Sequence, residues 1–594
     1  MAVAESVPKG GEYLISEASP KDVFTPEDFT DEQKQLGETA RQFVVNEVLP
    51  NIEKLEEHDF DLMVRLLKRA GELGLLMIDA PEEYGGLSLD KATGTIAAEA
   101  VSLYGGFATA YSAHTGIGTL PLVYYGTAAQ KEKYLGKIIT GEWIAAYCLT
   151  EPNSGSDALG AKTSAVLSED GKHYILNGTK QFITNGGFAD LFTVFAKVDR
   201  ERFTAFLVER TFPGVSPGPE EKKLGIKGSS TTPLILEDAR VPVENVLGEI
   251  GKGHKIAFNV LNVGRFKLGA NVVGGAKAAF VEGVKYANVR KQFGVPIGSF
   301  GAIKEKIADS LAGIFAAESL VYRLAGLIDA RLASIDKARP DYYEAYQQGI
   351  EEYAMECAIA KVFCSENLDR VADHVVQIHG GYGFIQEYAA ERCYRDSRIN
   401  RIFEGTNEIN RILIPGVLLK RAMKGEIPLL PEVMKAVEAM KSPVAAATDP
   451  ADPFAAESAL LRNLKTVFLV VAGAAVQKHA DRIKDEQEIL MAVADIAIGI
   501  FAIESAVLRA RKIGGTLSDA RRALVAAAVR TFAFNASEAA ATSARKAAFL
   551  VEDGRKLSRL LEGIGRLSAY DATGLLQAKR LLADASLESE KYIF

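Results

Sequence analysis

The chain is poor in the residues that build metal centres and disulfide scaffolds. Its 594 residues include four cysteines, seven histidines and one tryptophan. No two cysteines form a C-x-x-C pair, which argues against a disulfide framework and a zinc ribbon and for a reducing compartment. His374 and His379 are five apart, a spacing that does not place two ligands on one helix face, so both read as structural. Cys357 and Cys364, seven apart, share a helix face and, with no basic neighbourhood in view, read as buried packing. Long apolar runs are also missing. Val467 to Val476 is the longest, about half of what a spanning helix requires, so no membrane span is expected. There is no basic excess either. The 69 Lys and Arg are outnumbered by 77 Asp and Glu, a net charge of −8, which disfavours nucleic-acid or anionic-membrane binding. The first 20 residues carry Glu5, Glu12 and Glu17 but no Arg and no apolar core, so no signal or transit peptide is read there and a cytoplasmic location is expected, a mitochondrial-type matrix only for a processed precursor. No G-x-G-x-x-G follows a strand, and the P-loop, H-E-x-x-H and G-x-S-x-G patterns are absent.

What remains is an ordinary globular composition, 48% hydrophobic and 25% charged, at a length that suggests roughly four domain-sized units. Thr30 to Gln33 forms a capping box, and Leu36, Ala40, Phe43, Val44 and Val48 follow at helical spacing until Pro50 ends or kinks the helix. Helical patterning spans 30–145. From 146 to 252 short β-prone runs alternate with turns such as Asn177-Gly178 and Asn185-Gly186-Gly187, as a central antiparallel β domain requires. The helical period returns over 253–425. Residues 442–453, rich in Pro, Ala and Asp, read as a linker, and 454–594 as an additional Ala- and Leu-rich helical domain without a catalytic motif.

Four segments carry potential chemistry. Tyr147 to Asp157 (YCLTEPNSGSD) is either a plain Ser/Gly/Asn loop or a cradle of N–H and O–H donors for a heterocycle and a pyrophosphate. Gln181 to Gly187 (QFITNGG) is a strand ending in a turn, with Phe182 either core or a wall against a flat cofactor. Arg290 to Gly294 (RKQFG) is a solvated helix end or a phosphate contact. Ile402 to Glu408 (IFEGTNE) follows Arg392, Arg395, Arg398 and Arg401, whose three-residue spacing reads as a solvated or salt-bridged face. Glu404 lies there between an apolar pair and a Gly-Thr turn. In an apolar pocket, desolvation would raise its pKa toward neutrality, as a general base requires.

Together these segments, with Gln377 to Phe384 (QIHGGYGF), resemble the acyl-CoA dehydrogenase family in order and spacing over about residues 30–425. The additional C-terminal region makes the very-long-chain branch the nearest likeness. The implied fold is mainly α with a central β domain, and the implied cofactor is FAD. The resemblance assigns Tyr147, Leu149, Thr150, Gly155 and Ser156 to the flavin and pyrophosphate, with Ser156 also near CoA. Phe182, Ile183 and Thr184 would flank the isoalloxazine, Phe182 standing where the family commonly has Trp. Thr406 and Glu408 would also touch the cofactor. Arg290, Phe293, Gln377, Gly380 and Gly381 would reach FAD across a dimer interface. Asn262, Arg265 and Gly405 would contact substrate. Glu404 takes the place of the base. Some branches instead carry that carboxylate on the helix just before the residue matching Arg265, where Val263-Gly264 offers none.

The implied reaction is α,β-dehydrogenation of a fatty acyl-CoA to the trans-2-enoyl-CoA, with electrons passing to an electron-transfer flavoprotein. The implied assembly is a homodimer, and a peripheral membrane contact occurs in the branch. Ala108 to Ala113 aligns with the floor of the acyl pocket. Its small residues suit a long chain, while Tyr111 could close the cavity. An acyl-CoA oxidase and a non-catalytic assembly protein of the same fold are the alternatives.

Overall fold

The computed structural model describes residues 7–441 and 452–594, so nearly all of the 442–453 linker lies outside the described residues. The capping box forms as the sequence requires. Gln33 N donates to Thr30 Oγ1 at 3.2 Å and Thr30 N donates to Gln33 Oε1 at 3.1 Å, which starts the helix Asp31–Phe43. Ahead of Pro50 that helix widens into a π turn over Val44–Val48 and then tightens over Leu49–Asn51, because proline has no N–H to continue the ladder. Helices Lys91–Ala100 and Gly105–Ala113 complete the part of this region that faces the site.

Eight strands follow: β1 Ala145–Cys148, β2 Ser164–Leu167, β3 His173–Thr184, β4 Leu191–Val198, β5 Arg202–Glu209, β6 Val215–Pro217, β7 Thr231–Pro242 and β8 Val246–Leu247. Their order is β6-β7-β3-β2-β4-β5-β8, with β1 paired to β4. The sheet is mixed and not wholly antiparallel, a correction to the sequence expectation. β4 runs parallel to both β1 and β2. Parallel neighbours need a long crossover, and the β2–β3 hairpin lies in the chain between β1 and β4 to provide it. Turn signals locate the strands but do not say which of them become neighbours.

The second helical region is built on Gly253–Val289, Gly301–Ala333 and Ala354–His379, with Ala389–Ser397 and Asn407–Met423 beside them. The additional region forms Ala455–His479, Gln487–Gly514, Asp519–Val551, Gly554–Leu567 and Leu575–Ser589. It packs directly on the bundle, with Gln487–Gly514 against both Gly301–Ala333 and Asn407–Met423. Buried ion pairs close the seam. Arg509 reaches Glu318 at 2.5 Å and Glu27 at 2.8 Å, and Glu504 takes Arg323 at 2.7 Å and Lys465 at 2.5 Å.

Among the described residues three helices are long and apolar enough to cross a membrane: Gly301–Ala333, the stretch Ala455–Asp485, and Gln487–Gly514. Scattered polar residues interrupt their apolar runs, so none of them stands out as an unbroken run in the sequence. The apolar windows of the first and third are 89% and 83% buried inside the protein, and that of Ala455–Asp485 is 56% buried. Tertiary packing accounts for the apolarity of the first and third.

Candidate active site

The N-terminal helices, the β domain and the second helical bundle together line an open cavity of about 1960 Å³. A pocket for a single small ligand is usually about 300–1,000 Å³, so this one has room for two. One wall is the loop after β1. Tyr147, Leu149, Thr150, Gly155 and Ser156 all line the cavity. The loop is pinned from below. Glu151 pairs with the fully buried Lys180 of β3 at 2.7 Å and accepts from Thr163 N and from Lys162 N at 2.6 Å. Gln181 N donates to the Thr150 carbonyl at 2.9 Å. No atom lies within 4 Å of where a Gly155 Cβ would be, so the backbone there faces open space.

Phe182 is not core. The β3–β7 register slips between Lys180 and Ile183, and Phe182 sits in this bulge with a φ of 58° and its ring 62% exposed. A bulge re-aims a side chain that strict alternation would place elsewhere. Phe182, Ile183 and Thr184 all line the cavity. The following turn is tied to the neighbouring helix, Asn185 Nδ2 donating to the Ala110 carbonyl at 3.0 Å.

Glu404 comes from the turn before the helix Asn407–Met423, which Thr406 caps by accepting from Ile409 N at 3.2 Å. Both Glu404 (φ 58°) and Gly405 (φ 80°) are left-handed. Such a φ is ordinary for glycine and unfavourable for glutamate. Two cations grip the consecutive carbonyls. Arg265 Nε donates to Glu404 O at 3.1 Å, and Lys361 Nζ donates to Gly405 O at 2.7 Å. The carboxylate itself lines the cavity, and its buried Oε2 has no hydrogen-bond partner among the described residues. Burial pushes the Glu404 carboxyl up to about 7, with Arg265 and Lys361 opposing. Gly264 makes room for it, since a Cβ there would stand 2.7 Å from Oε2. The helix position that was empty of a carboxylate is therefore also the position that must stay free of a side chain.

Arg265 and Asn262 are buried, joined by a 3.1 Å hydrogen bond, and both line the cavity. Ala108, Thr109, Ser112 and Ala113 line it too. Tyr111 does not. Its ring turns into the N-terminal core beside Phe107, and its hydroxyl donates to Leu75 O at 2.7 Å, so Tyr111 does not close the cavity. Glu408 is exposed in the first turn of its helix and lies off the cavity wall, where Thr406 and Ile409 are found.

A second group stays apart. Arg290, Phe293, Gln377, Gly380 and Gly381 do not line this cavity. Phe293 has a φ of 52° and is 93% exposed, and Phe384 beside the glycines is 87% exposed. The open backbone of Gly380 and Gly381 meets no atom within 4 Å. This is an unpartnered apolar and polar patch, with Arg290 over the Tyr382 ring at 5.3 Å.

Four family matches cover the chain. Residues 30–142, 146–239 and 251–419 match the N-terminal, middle and C-terminal domains of acyl-CoA dehydrogenases, and 463–566 match a further acyl-CoA dehydrogenase C-terminal domain. A Bacillus subtilis protein described as a probable acyl-CoA dehydrogenase is 48% identical, covering 99% of both chains.

The chain belongs to the acyl-CoA dehydrogenase family.

Three more likenesses place it within that family. The rat very long-chain specific acyl-CoA dehydrogenase is 38% identical over 80% of this chain and 74% of its own length. The crystal structure of an acyl-CoA dehydrogenase complexed with FAD from Bacillus anthracis matches with a TM-score of 0.96 at 50% identity, over 99% of this chain and all of that one. A butyryl-CoA dehydrogenase from Megasphaera elsdenii covers 66% of this chain and 99% of its own, with a TM-score of 0.60. The short form thus lacks a counterpart of about a third of this chain.

The histidines of this dehydrogenase stay off the cavity wall, as do Cys148, Cys357 and Cys364, whereas Cys393 lines it. His379 is buried, with Nδ1 against Val375 O and its ring stacked on Tyr286 at 3.9 Å. Burial pushes the Cys357 and Cys364 thiols up. Among the described residues no cluster could hold a metal ion. The arginine row is partly salt-bridged, Arg395 to Glu391 and Arg401 to Asp369. One residue that holds the base loop escaped the sequence reading, namely Lys361 of the helix Ala354–His379. Its signal was a lone charge inside Ala358-Ile359-Ala360-Lys361-Val362-Phe363-Cys364.

Proposed function

We propose that the chain is an FAD-dependent dehydrogenase of long-chain fatty acyl-CoA, forming the trans-2-enoyl-CoA with Glu404 as the base. The observation that carries this is the Glu404 carboxylate, which faces the cavity with a buried, unpartnered oxygen and a pKa raised to about 7. The cofactor suits the residues present. The Thr150–Ser156 loop offers donors and open glycine backbone, and the exposed Phe182 ring offers a flat apolar face. Bound there, FAD supplies the acceptor for the β-hydrogen and its electron pair. The chain supplies the rest. Glu404 takes the α-proton, and its held backbone aligns it with that proton. The thioester carbonyl needs hydrogen-bond donors to lower the barrier to that proton transfer, and the Glu404 backbone N–H is the donor assigned to it. The mostly apolar cavity walls limit water around the reacting carbons once cofactor and substrate are bound.

The small residues Ala108, Thr109 and Ala113, with Tyr111 turned away, favour a long acyl chain. The patch of Arg290, Phe293, Gln377, Gly380 and Gly381 is assigned to the cofactor of a second copy, which makes the protein a homodimer. An electron-transfer flavoprotein is the assigned acceptor.

The test is anaerobic titration of the FAD-loaded protein with palmitoyl-CoA at the flavin band, beside Glu404→Gln. Bleaching in the wild type alone is the expected result. Bleaching in both would remove Glu404 as the base, and faster turnover of butyryl-CoA than of palmitoyl-CoA would remove the chain-length assignment. Stoichiometric peroxide in air, without need of another acceptor, would make the protein an oxidase.

A further inference from the structure

Lys361 stands in the middle of the helix Ala354–His379 and is 0% exposed. It makes no ion pair among the described residues. Its Nζ donates instead to the Gly405 carbonyl at 2.7 Å and to Asn407 Oδ1 at 2.6 Å. An ammonium left without a carboxylate partner in the interior is costly, and here the groups it touches are the backbone and cap of the base loop. Gly405 O also accepts from Asn410 Nδ2 at 2.8 Å, so this carbonyl is held from two helices.

We propose that Lys361 is a positioning residue for Glu404, its buried ammonium fixing the left-handed Glu404–Gly405 turn and favouring the ionised carboxylate that takes the α-proton. The inference rests on the reading of Glu404 as the base. Charge and geometry act together. The Lys361 side chain and the Glu404 Oε2 are buried, each group is pushed toward its neutral form, and each favours the charge of the other. Burial pulls the Lys361 ammonium down to about 7, with Glu404 opposing. The other charged or titratable groups packed around the pair are few. Arg265 from Gly253–Val289 favours the carboxylate and disfavours the ammonium. Glu366, from the same helix as Lys361, and Glu408, from the helix after the loop, favour the ammonium. The Tyr147 hydroxyl of β1 and the Cys357 thiol are held protonated by burial. Lys361 is thus the cation whose charge can be removed without emptying the Arg265 contact to Glu404 O.

The network continues outward. Asn407 Nδ2 donates to Ser365 Oγ at 3.1 Å and to Glu366 Oε1 at 2.9 Å. Glu366 is held by both terminal nitrogens of Arg411, whose Nε pairs with Asp495 of the additional domain at 2.7 Å. The clamp is therefore itself supported from the surface that the additional domain covers.

The test compares FAD-loaded wild type with Lys361→Met and Lys361→Gln. Proton abstraction is read by α-hydrogen exchange into D2O of a 3-thia acyl-CoA, which can lose its α-proton but has no β-hydrogen to give. Turnover of palmitoyl-CoA is followed from pH 6 to 9. For Lys361→Met the expectation is roughly tenfold slower exchange at pH 7, KM changed less than about twofold, and the midpoint of the pH profile raised by about one unit. Lys361→Gln keeps a donor for the Gly405 carbonyl and should recover part of the rate while keeping the raised midpoint. A wild-type rate and profile in a folded Lys361→Met with full FAD would overturn the proposal. So would a slower rate with an unmoved midpoint in both variants, which would make Lys361 mere scaffolding. If the Met variant does not fold, the midpoint of Lys361→Gln decides. If wild type exchanges no α-hydrogen and is not bleached, the reading of the site fails instead, and the variants are not needed to show it.

Discussion

Two glutamates in this molecule, Glu318 in the interior and the partly buried Glu404 on the cavity wall, titrate in opposite directions. At the seam with the additional domain, burial pushes the Glu318 carboxyl up, but Lys277 and Arg509 overcome this and hold it down at about 2. Its oxygens are taken by Lys277, by Arg509 at 2.5 Å and by Tyr592 Oη at 2.7 Å. In the cavity, burial wins. Arg265 Nε donates to the Glu404 carbonyl and Lys361 Nζ to the Gly405 carbonyl and Asn407, and the carboxylate is left at about 7 with a free oxygen. Burial alone therefore says little about a carboxylate. Where the neighbouring donors point decides whether it is a brace or a base.

The comparison can be broken at four points. Glu404→Gln should lower the rate of flavin bleaching by about 10²–10⁴-fold, the range for loss of a general base, while leaving the unfolding midpoint in urea within about 1 kcal/mol of wild type. Arg509→Met should do the reverse. It strips a buried partner from Glu318 and Glu27, so unfolding should be easier by roughly 3–5 kcal/mol, with the bleaching rate of the folded fraction nearly unchanged. Gly264→Ala comes next. Its Cβ would meet Oε2 at 2.7 Å and push the carboxylate aside, and a displacement of that kind should slow turnover by about 10–100-fold with folding retained. Full activity in this variant would show that the carboxylate has another place to go. Asp495→Asn removes one half-exposed member of the outer network and should change stability by less than about 1 kcal/mol and turnover by less than about twofold.

The two glutamates also differ in the sign of their pH dependence. The folded pKa of Glu318 is depressed, so its stabilisation is present above the unfolded value of 4.5 and is lost as pH falls toward about 2. That of Glu404 is raised, so its contribution is fully favourable below 4.5 and is lost as pH rises through about 7. Urea unfolding between pH 5 and 8 should therefore find Glu404→Gln gaining stability relative to wild type as pH rises. Glu318→Gln should be uniformly weaker across that range. Parallel curves for the two variants would break the comparison.

Much of the site was legible because its parts are contiguous in the chain. The loop Tyr147–Ser156, the Phe182–Thr184 segment and the Glu404 turn each announced themselves through local composition, and all three reach one cavity. The errors came where neighbours in space are far apart in sequence. Tyr111 looked able to close the cavity because helical spacing does not say which side of Gly105–Ala113 meets core. The sheet was expected to be antiparallel because hairpin turns were visible and the β1–β4 crossover was not.

The amino-acid order by itself determined the capped helices, the β-prone middle segment and the apolar-to-turn setting of Glu404, since each depends on residues within about one or two turns of each other. Only the tertiary structure decided that Phe182 leaves the core through a bulge, that Gly264 must lack a side chain, and that Lys361 grips the turn of a residue 43 positions away. Those facts depend on long-range packing, which places donors and empty space around a carboxylate in ways that spacing along the chain does not encode.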